Sequence, residues 1–213
     1  MTVSVTDNFN RSNETPLVNW IHLKPVAVAN DRSFNLVSNA AAPQTLGGDH
    51  CSVWAGRSFS PDQYSQAACT VTGTTSDRGP GVCVRAHPPH RHYYRAVVSK
   101  AVADNVAVSI HRVGFGGEIL AVRTVTWVDG DVLLLEIRGT DPPVLKVYQN
   151  GVQLGADINS TAPHILEGNP GIAYSSVTTS ASVDNWEGGA YSQDEGIIVN
   201  TLRPRIFGPG LGR

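Results

Sequence analysis

Hydrophobic and polar residues alternate with a period of two along much of the chain, most clearly in residues 144–154. Leu145 and Val147 fall on one face of this segment, and the residues between them fall on the other. Asn150 and Gly151 interrupt the alternation, and both tolerate the positive φ angles of a type I′ turn. The pattern therefore predicts an antiparallel hairpin with one buried face.

Shorter alternating runs separated by Gly, Pro and polar turns recur from end to end, and no segment shows the periodicity of an amphipathic helix. This arrangement predicts an all-β fold, a jelly-roll sandwich of two antiparallel sheets. The loops predicted between the strands include residues 40–48 and 72–80. The strands are predicted at residues 34–38, 51–55, 64–71, 81–86, 93–100, 106–113, 119–127, 131–138, 144–154 (the hairpin), 172–177 and 181–187.

Composition agrees with one such domain. The 213 residues are 41% hydrophobic and 16% charged, with 21 glycines and 13 prolines, a mixture suited to short strands and many turns. The net charge of −2 gives no reason to expect a nucleic-acid partner. No apolar run approaches the roughly 20 residues of a membrane helix, and no secretory signal is visible. We therefore expect synthesis in a cytosol without membrane insertion.

Two similar tripeptides lie near the ends of the predicted domain, Asp7-Asn8-Phe9 and Asp184-Asn185-Trp186. We expect the two segments to be neighbours that tie the termini of the domain together, and we expect Trp20 to be an aromatic anchor at a core edge. Their four oxygen-bearing side chains are also candidate calcium ligands. The alternative is that they bond the backbone at turns and strand ends, so no cofactor is predicted.

Three cysteines are too few for a disulfide framework. Cys69 and Cys83 lie in consecutive predicted strands, and antiparallel pairing about a centre near Asp77 would bring them close enough for a disulfide. The alternative is two buried free thiols, since a cytosolic product starts reduced. Cys51 would then be left for an intermolecular bond or as a reactive thiol.

The order of these pieces resembles the concanavalin-A-like lectin/glucanase superfamily, in its laminin-G-like branch. The resemblance covers roughly residues 7 to 189 and implies one convex and one concave sheet. The pieces that carry it are Asp7-Asn8-Phe9-Asn10-Arg11, Asp62-Gln63-Tyr64, residues 79–85, Tyr93-Tyr94, residues 131–138, residues 145–152 with their Asn-Gly turn, residues 168–172 and Asp184-Asn185-Trp186.

Members of this superfamily bind sugars, hydrolyse β-glucans or serve as structural modules. The hydrolases carry a Glu-x-Asp-x-x-Glu strand motif, which this sequence lacks. Glu136 is followed two positions later by Arg138 rather than by a carboxylate. Glu118, Glu167 and Glu187 stand isolated in turn-like stretches, so the paired carboxyls of a retaining glycosidase are not evident. The sequence predicts no enzymatic activity and no catalytic residue.

Residues 190–213 fall outside the predicted domain of residues 1–189. Prolines and glycines exclude regular structure from this segment, yet it keeps apolar and basic side chains that a purely solvated tail would not need. We expect an extended arm that docks on another surface, the alternative being a disordered or self-packed tail. The docking side chains would be Leu202, Arg203, Arg205, Ile206, Phe207 and Leu211.

The end of the chain is similar to the C-terminal tails of tailed-phage structural proteins. Together with the lectin-like domain, this indicates a non-enzymatic virion protein of a bacteriophage, such as a capsid decoration, head fibre or tail component. Its partners would be other virion proteins and further copies of the same chain. The alternatives are a module that recognises cell-surface polysaccharide, which could coexist with a virion role, and a glycan hydrolase.

The most conspicuous polar cluster is His87, His90, Arg91, His92 and Tyr93, within and beside a Pro-Pro loop. The histidine spacing matches no metal motif, so no metal is predicted. The cluster is either an exposed polar loop or a patch for an anionic ligand or partner, which would strengthen below about pH 6.5 as imidazoles gain charge. Aromatic residues could also stack on sugar rings, although strand aromatics usually belong to the core. These are Trp54, Tyr64, Tyr93, Tyr94 and Trp127.

Overall fold

A computed structural model describes residues 3–23, 34–44, 49–72, 78–88, 92–100, 104–112, 116–175 and 180–191. Every regular element in these ranges is a strand, and none of them contains a helix that could cross a membrane. The strands are β1 (Val3–Asp7), β2 (Trp20–His22), β3 (Phe34–Val37), β4 (Ala40–Pro43), β5 (Asp49–Trp54), β6 (Gln63–Thr72), β7 (Arg78–His87), β8 (His92–Lys100), β9 (Asp104–Arg112), β10 (Gly116–Thr124), β11 (Val132–Arg138), β12 (Val144–Gln149), β13 (Val152–Gln153), β14 (Ile158–Asn159), β15 (Asn169–Ser175) and β16 (Ser180–Ala190).

The strands form two antiparallel sheets, which confirms the predicted all-β jelly-roll sandwich. The nine-stranded sheet runs in the order β13-β12-β11-β6-β16-β4-β3, with β1 paired to β16 and β14 paired to β12. The seven-stranded sheet runs in the order β10-β9-β8-β7-β15-β5-β2.

The core lies between the two sheets and follows from the alternation along each strand. Leu133, Leu135 and Ile137 of β11 are fully buried on the inner face of the nine-stranded sheet. Val82 and Val84 of β7 enter the same core from the seven-stranded sheet. A separate apolar cluster covers the outer face of the seven-stranded sheet.

The hairpin predicted at residues 144–154 is present. Strand β12 pairs with β13, with Tyr148 opposite Gln153. The turn residues Asn150 and Gly151 have φ angles of 50° and 80°, as a type I′ turn requires.

The first and last strands are neighbours, as the matching tripeptides predicted. Strand β1 pairs with β16 and places Asp7 opposite Trp186. The ring of Trp20 lies 4.7 Å from that of Trp186, and its indole Nε1 donates to Asp7 Oδ2 at 3.0 Å. A buried hydrogen bond and an edge-to-face aromatic contact thus help to hold the first and last strands together.

Residues 40–48 were predicted as a loop, but Ala40–Pro43 form strand β4. Alanine and proline are weak strand formers, so their composition favoured a loop. Pairing decides the outcome, because β4 bonds to β3 on one side and to β16 on the other.

The predicted pairing of the strands that carry Cys69 and Cys83 is wrong. Strand β6 bonds to β11 and β16, whereas β7 bonds to β8 and β15 in the other sheet. Cys69 faces the core, while Cys83 lies on the outer face of the seven-stranded sheet beside Cys51, with 3.2 Å between the two sulfurs. All three cysteines are free and buried, so burial disfavours the intermolecular bond or reactive thiol that we considered for Cys51.

Strand β16 extends through Ala190, one residue past the predicted domain boundary. Tyr191 also packs against the domain, because its ring lies 5.3 Å from that of Tyr64 and its hydroxyl donates to Glu136 at 3.2 Å. The six predicted docking residues of the arm lie outside the described residues.

Candidate functional site

An open cleft of about 490 Å³ lies at the end of the sandwich where β7 finishes and β8 begins. It combines three imidazoles and a carboxylate with three apolar side chains. This volume is within the range of small-molecule sites, although the lining is more polar than in most of them. The lining residues are Pro61, His87, His92, His164, Ile165, Leu166 and Glu167.

A β-bulge shapes the floor of the cleft. The pairing of β7 with β8 shifts register between Val84 and His87, and Arg85 within this bulge has a φ of 48°. A positive φ is uncommon for a residue with a side chain, and bulges often re-aim side chains beside functional sites. The bulge allows β7 to end with His87 directly opposite His92.

The buried guanidinium of Arg85 joins three separate loops beneath the cleft. Its nitrogens donate to the carbonyl oxygens of Pro61 at 2.9 Å, Ile165 at 3.0 Å and Gly139 at 2.5 Å. Burial lowers the pKa of Arg85, partly opposed by the nearby groups of Tyr94 and Asp62. Since Pro61 and Ile165 line the cleft, Arg85 is a positioning residue for two of its walls.

Gln63 and Gly168 also hold the bulge at Arg85 against the 165–168 loop. The Gln63 side chain accepts from the Arg85 backbone N–H at 2.9 Å and donates to the Gly168 carbonyl at 3.0 Å. Gly168 has a φ of 130°, and a Cβ there would lie 2.5 Å from the Arg85 carbonyl carbon. Only glycine lets the 165–168 loop approach the bulge this closely.

Acidic groups accompany the histidines of the cleft. His87 Nε2 lies 3.3 Å from a carboxylate oxygen of Glu167, and His164 Nε2 lies 3.8 Å from one of Asp141. His164 Nδ1 also lies 3.3 Å from the Ser160 hydroxyl. These contacts orient the imidazoles of His87 and His164, and the cleft offers both donors and acceptors to a ligand.

The structure brings together only part of the predicted ligand-binding cluster. His87 and His92 line the cleft, whereas Tyr93 points to the opposite face of β8, because successive strand residues alternate. Tyr93 is 3% exposed and stacks on the His111 ring at 4.8 Å. His90 and Arg91 lie outside the described residues.

Sequence reasoning missed His164 and Glu167, which join the cleft from a loop far along the chain. The predicted ligand-binding cluster did not include Arg85 either. Nothing in the local pattern around residues 164–167 indicates a site. The sole sequence signal is an arginine within an otherwise apolar strand.

Within the described ranges, no group of three His, Cys, Asp or Glu side chains is placed to hold a metal ion. Asp7, one of the calcium candidates, already accepts hydrogen bonds on both carboxylate oxygens, from Phe9 and Arg11 on one and from Trp20 on the other. Asp184 accepts from the backbone N–H of Asn185. These contacts match the turn and strand-end interpretation.

Two buried carboxylates lie away from the cleft, on the outer face of the nine-stranded sheet. Glu136 bonds to Arg138 at 2.6 Å and to the Tyr191 hydroxyl. Glu187 accepts from Tyr64 at 2.5 Å and from Gln66 at 3.0 Å, so it lies in a strand network and not in an isolated turn. Burial and then the Glu187 bond raise the pKa of Tyr64.

The aromatic residues considered as sugar platforms belong to the interior. Tyr64, Tyr93, Tyr94 and Trp127 are all buried. Trp54 is half-buried and stacks on Trp186 at 5.9 Å. Four of the five are therefore buried, as the core interpretation expects, whereas Trp54 packs against the core while only half-buried.

A second, smaller cleft of about 250 Å³ lies beside the paired ends of β1 and β16. Arg57 and Phe59 form part of its wall, with the guanidinium carbon 5.5 Å from the ring centroid.

Comparison with protein-family models and with curated protein sequences finds no match. Solved structures do match. Carbohydrate-binding module CBM66 from Bacillus subtilis is 15% identical with a TM-score of 0.54, covering 79% of this chain and 94% of the module. The Emp47p carbohydrate recognition domain is 10% identical with a TM-score of 0.59, covering 89% and 95%.

A third match is the CBM2 module of the evolved Dit of Lactobacillus casei BL23 phage J-1. It is 12% identical with a TM-score of 0.54, covering 88% of this chain and 96% of that module. At such identities the likeness shows the fold alone. The fold is thus the concanavalin-A-like jelly roll of lectins and carbohydrate-binding modules.

Proposed function

We propose that the protein binds carbohydrate without cleaving it, and that the cleft at the β7–β8 end is the binding site. The observation that carries this proposal is the cleft itself, in which oriented imidazoles face exposed apolar side chains. The structural neighbours named as carbohydrate-binding modules and a recognition domain support it.

The lining matches the chemistry of a sugar ring. Leu166 is 48% exposed and, with the exposed Pro61, offers an apolar surface to ring C–H groups. His87 and Glu167 offer donors and acceptors to hydroxyls. A cleft of about 490 Å³ is within the roughly 300–1,000 Å³ range of small-ligand sites.

Binding without cleavage is part of the same proposal. Retaining glycosidases need two carboxyls about 5 Å apart, and inverting ones need about 6.5–9.5 Å. Among the described residues that line the cleft, Glu167 is the only carboxylate. Glu136 and Glu187 lie on another face and bond to neighbouring side chains. We expect no release of reducing sugar from glycans that bind.

The test is a glycan array containing neutral and acidic polysaccharides, followed by calorimetry on each hit. The double variant His87→Ala/His164→Ala should weaken binding at least tenfold, while Arg57→Ala/Phe59→Ala in the smaller cleft should leave it unchanged. No hit on the array would refute carbohydrate binding. Equal binding by wild type and the histidine variant would refute this location.

The prediction made from the sequence, that an anionic ligand binds more strongly below about pH 6.5, is tested by calorimetry with an acidic polysaccharide at pH 5.5 and pH 7.5. A neutral polysaccharide that binds should show a smaller change. Equal affinities for the acidic ligand at both pH values would exclude a role for imidazole charge.

A second proposal concerns where such a module would act. We infer a bacteriophage virion component, supported by the likeness to a carbohydrate-binding module of a phage Dit and by the arm predicted in residues 190–213. Antibodies against the domain should label purified particles in electron micrographs. A chain truncated after Tyr191 should stay folded but fail to attach, and attachment of this truncated chain would refute the docking arm.

A further inference from the structure

Among the described strands, the longest one at the end of a sheet is β10. Three of the four sheet ends are short strands, namely β13 with two residues, β2 with three and β3 with four. Strand β10 has nine residues, and among the described strands it pairs only with β9. Proteins usually shorten or cover such edges, because unpaired backbone groups invite another strand.

The side chains on this edge are apolar and exposed. Ile119 is 48% exposed and Val122 is 52% exposed. Both lie in the row opposite Ser109 and Ala107 of β9, on the outer face of the seven-stranded sheet. The register with β9 shifts between Ile119 and Ala121, which leaves Leu120 out of that ladder.

The sequence of β10 is complementary to itself. In an antiparallel pair of two copies centred between Leu120 and Ala121, Ile119 lies opposite Val122 of the second copy. In the same register, Glu118 lies opposite Arg123 of the second copy, and the symmetry repeats each contact. Opposite charges and apolar pairs across two strands are both stabilising.

Only this register pairs each Glu118 with Arg123 of the second copy. A shift by two residues places Arg123 opposite Gly116 or Leu120, and Glu118 opposite Ala121 or Val125. Each of these alternatives leaves both charges without a partner across the strands. A two-fold symmetric contact must match itself in this way, because residue i meets residue j and j meets i.

The two charged side chains are already oriented. Arg123 donates to the carbonyls of Leu154 at 3.0 Å and Ala156 at 3.1 Å. Glu118 accepts from Thr161 at 3.0 Å and from Arg112 at 3.4 Å. A guanidinium has five donors and a carboxylate has about four acceptor positions, so both keep capacity for a second copy at little additional ordering cost.

We propose that the protein forms a two-fold dimer in which the β10 edges of two copies pair antiparallel and join their seven-stranded sheets. Since the strands run in opposite directions, the two clefts would lie at opposite ends of the joined sheet. This inference is independent of what the cleft binds.

Sedimentation of the full chain between 5 and 200 µM tests the proposal. The average mass should rise with concentration from 22.7 kDa towards twice that value. Val122→Lys should remain monomeric throughout. Val152→Lys, on the edge of the other sheet and at a side chain 68% exposed, should dimerise like wild type.

Charge exchange tests the register. Glu118→Arg and Arg123→Glu should each weaken dimerisation at least tenfold, and the double variant should recover most of the loss. Circular dichroism and melting temperature show that each variant is folded, and Val122→Lys alone decides the location if a charge variant does not fold. A monomeric wild type at 200 µM would overturn the proposal, as would a dimer that survives Val122→Lys or a double variant without recovery.

Discussion

Replacing Arg85 with methionine should both destabilise the protein and deform the cleft. Methionine keeps much of the side-chain volume but donates no hydrogen bond. Three carbonyls, those of Pro61, Ile165 and Gly139, would lose a charged donor. Hydrogen bonds to charged groups contribute about 1.5–3 kcal/mol each.

The net loss will be smaller than the sum of three bonds, because removing a buried charge also removes its desolvation cost. We expect the free energy of unfolding to fall by about 3–5 kcal/mol. For a chain of this length, each kcal/mol corresponds to about 2–4 °C in melting temperature. Arg85→Lys should lie between wild type and Arg85→Met, because one ammonium cannot reproduce the planar fork.

Urea unfolding followed by tryptophan fluorescence gives the free energy by linear extrapolation. Arg57→Met is the matched control, since this exposed arginine should change stability by less than about 0.5 kcal/mol. Glycan affinity should also fall at temperatures where Arg85→Met is fully folded. A value within 1 kcal/mol of wild type, as an order-of-magnitude threshold, would refute the role assigned to Arg85.

Three further predictions concern the rest of the sandwich. Gly151→Ala should lower the free energy of unfolding by about 1 kcal/mol in urea, because its φ of 80° is strained for a residue with a side chain; no change would argue against the type I′ turn. Burial and the charge of Asp7 raise the pKa of Asp184, so the ionised form is disfavoured in the folded state above the ordinary carboxyl pKa. Asp184→Asn should therefore raise the melting temperature at pH 7 by a degree or two. It should not do so near pH 3, where the Asp184 carboxyl is largely protonated in both the folded and the unfolded protein. The three thiols should react with a thiol reagent only after unfolding, because all are buried; rapid reaction of the native protein would contradict this.

The strands could be predicted because their buried faces alternate and their turns have distinctive residues. The hairpin at Asn150-Gly151 and the pairing of the two terminal segments are examples that the structure confirms. Strand β4 could not be predicted in the same way. Its alanines gain their strand conformation from two flanking partners, which no local pattern reveals.

The cleft was only half predictable for a related reason. His87 and His92 are close in sequence and face each other across one hairpin. His164 arrives from a loop far along the chain, and the role of Arg85 depends on a bulge that turns its side chain inward. Alternation also places Tyr93 on the opposite face of β8, although it is adjacent to His92. Local sequence also could not show that the consecutive strands β6 and β7 lie in different sheets, which keeps Cys69 away from Cys83.

The pairing of β1 with β16 has one more consequence. Val3 lies directly opposite Ala190, so the backbone enters and leaves the sandwich at neighbouring points, about 5 Å apart. A unit with this geometry can be spliced into a surface loop of a host polypeptide without pulling the flanking host segments apart. The sandwich can therefore be carried in the middle of a longer protein as readily as at one of its ends.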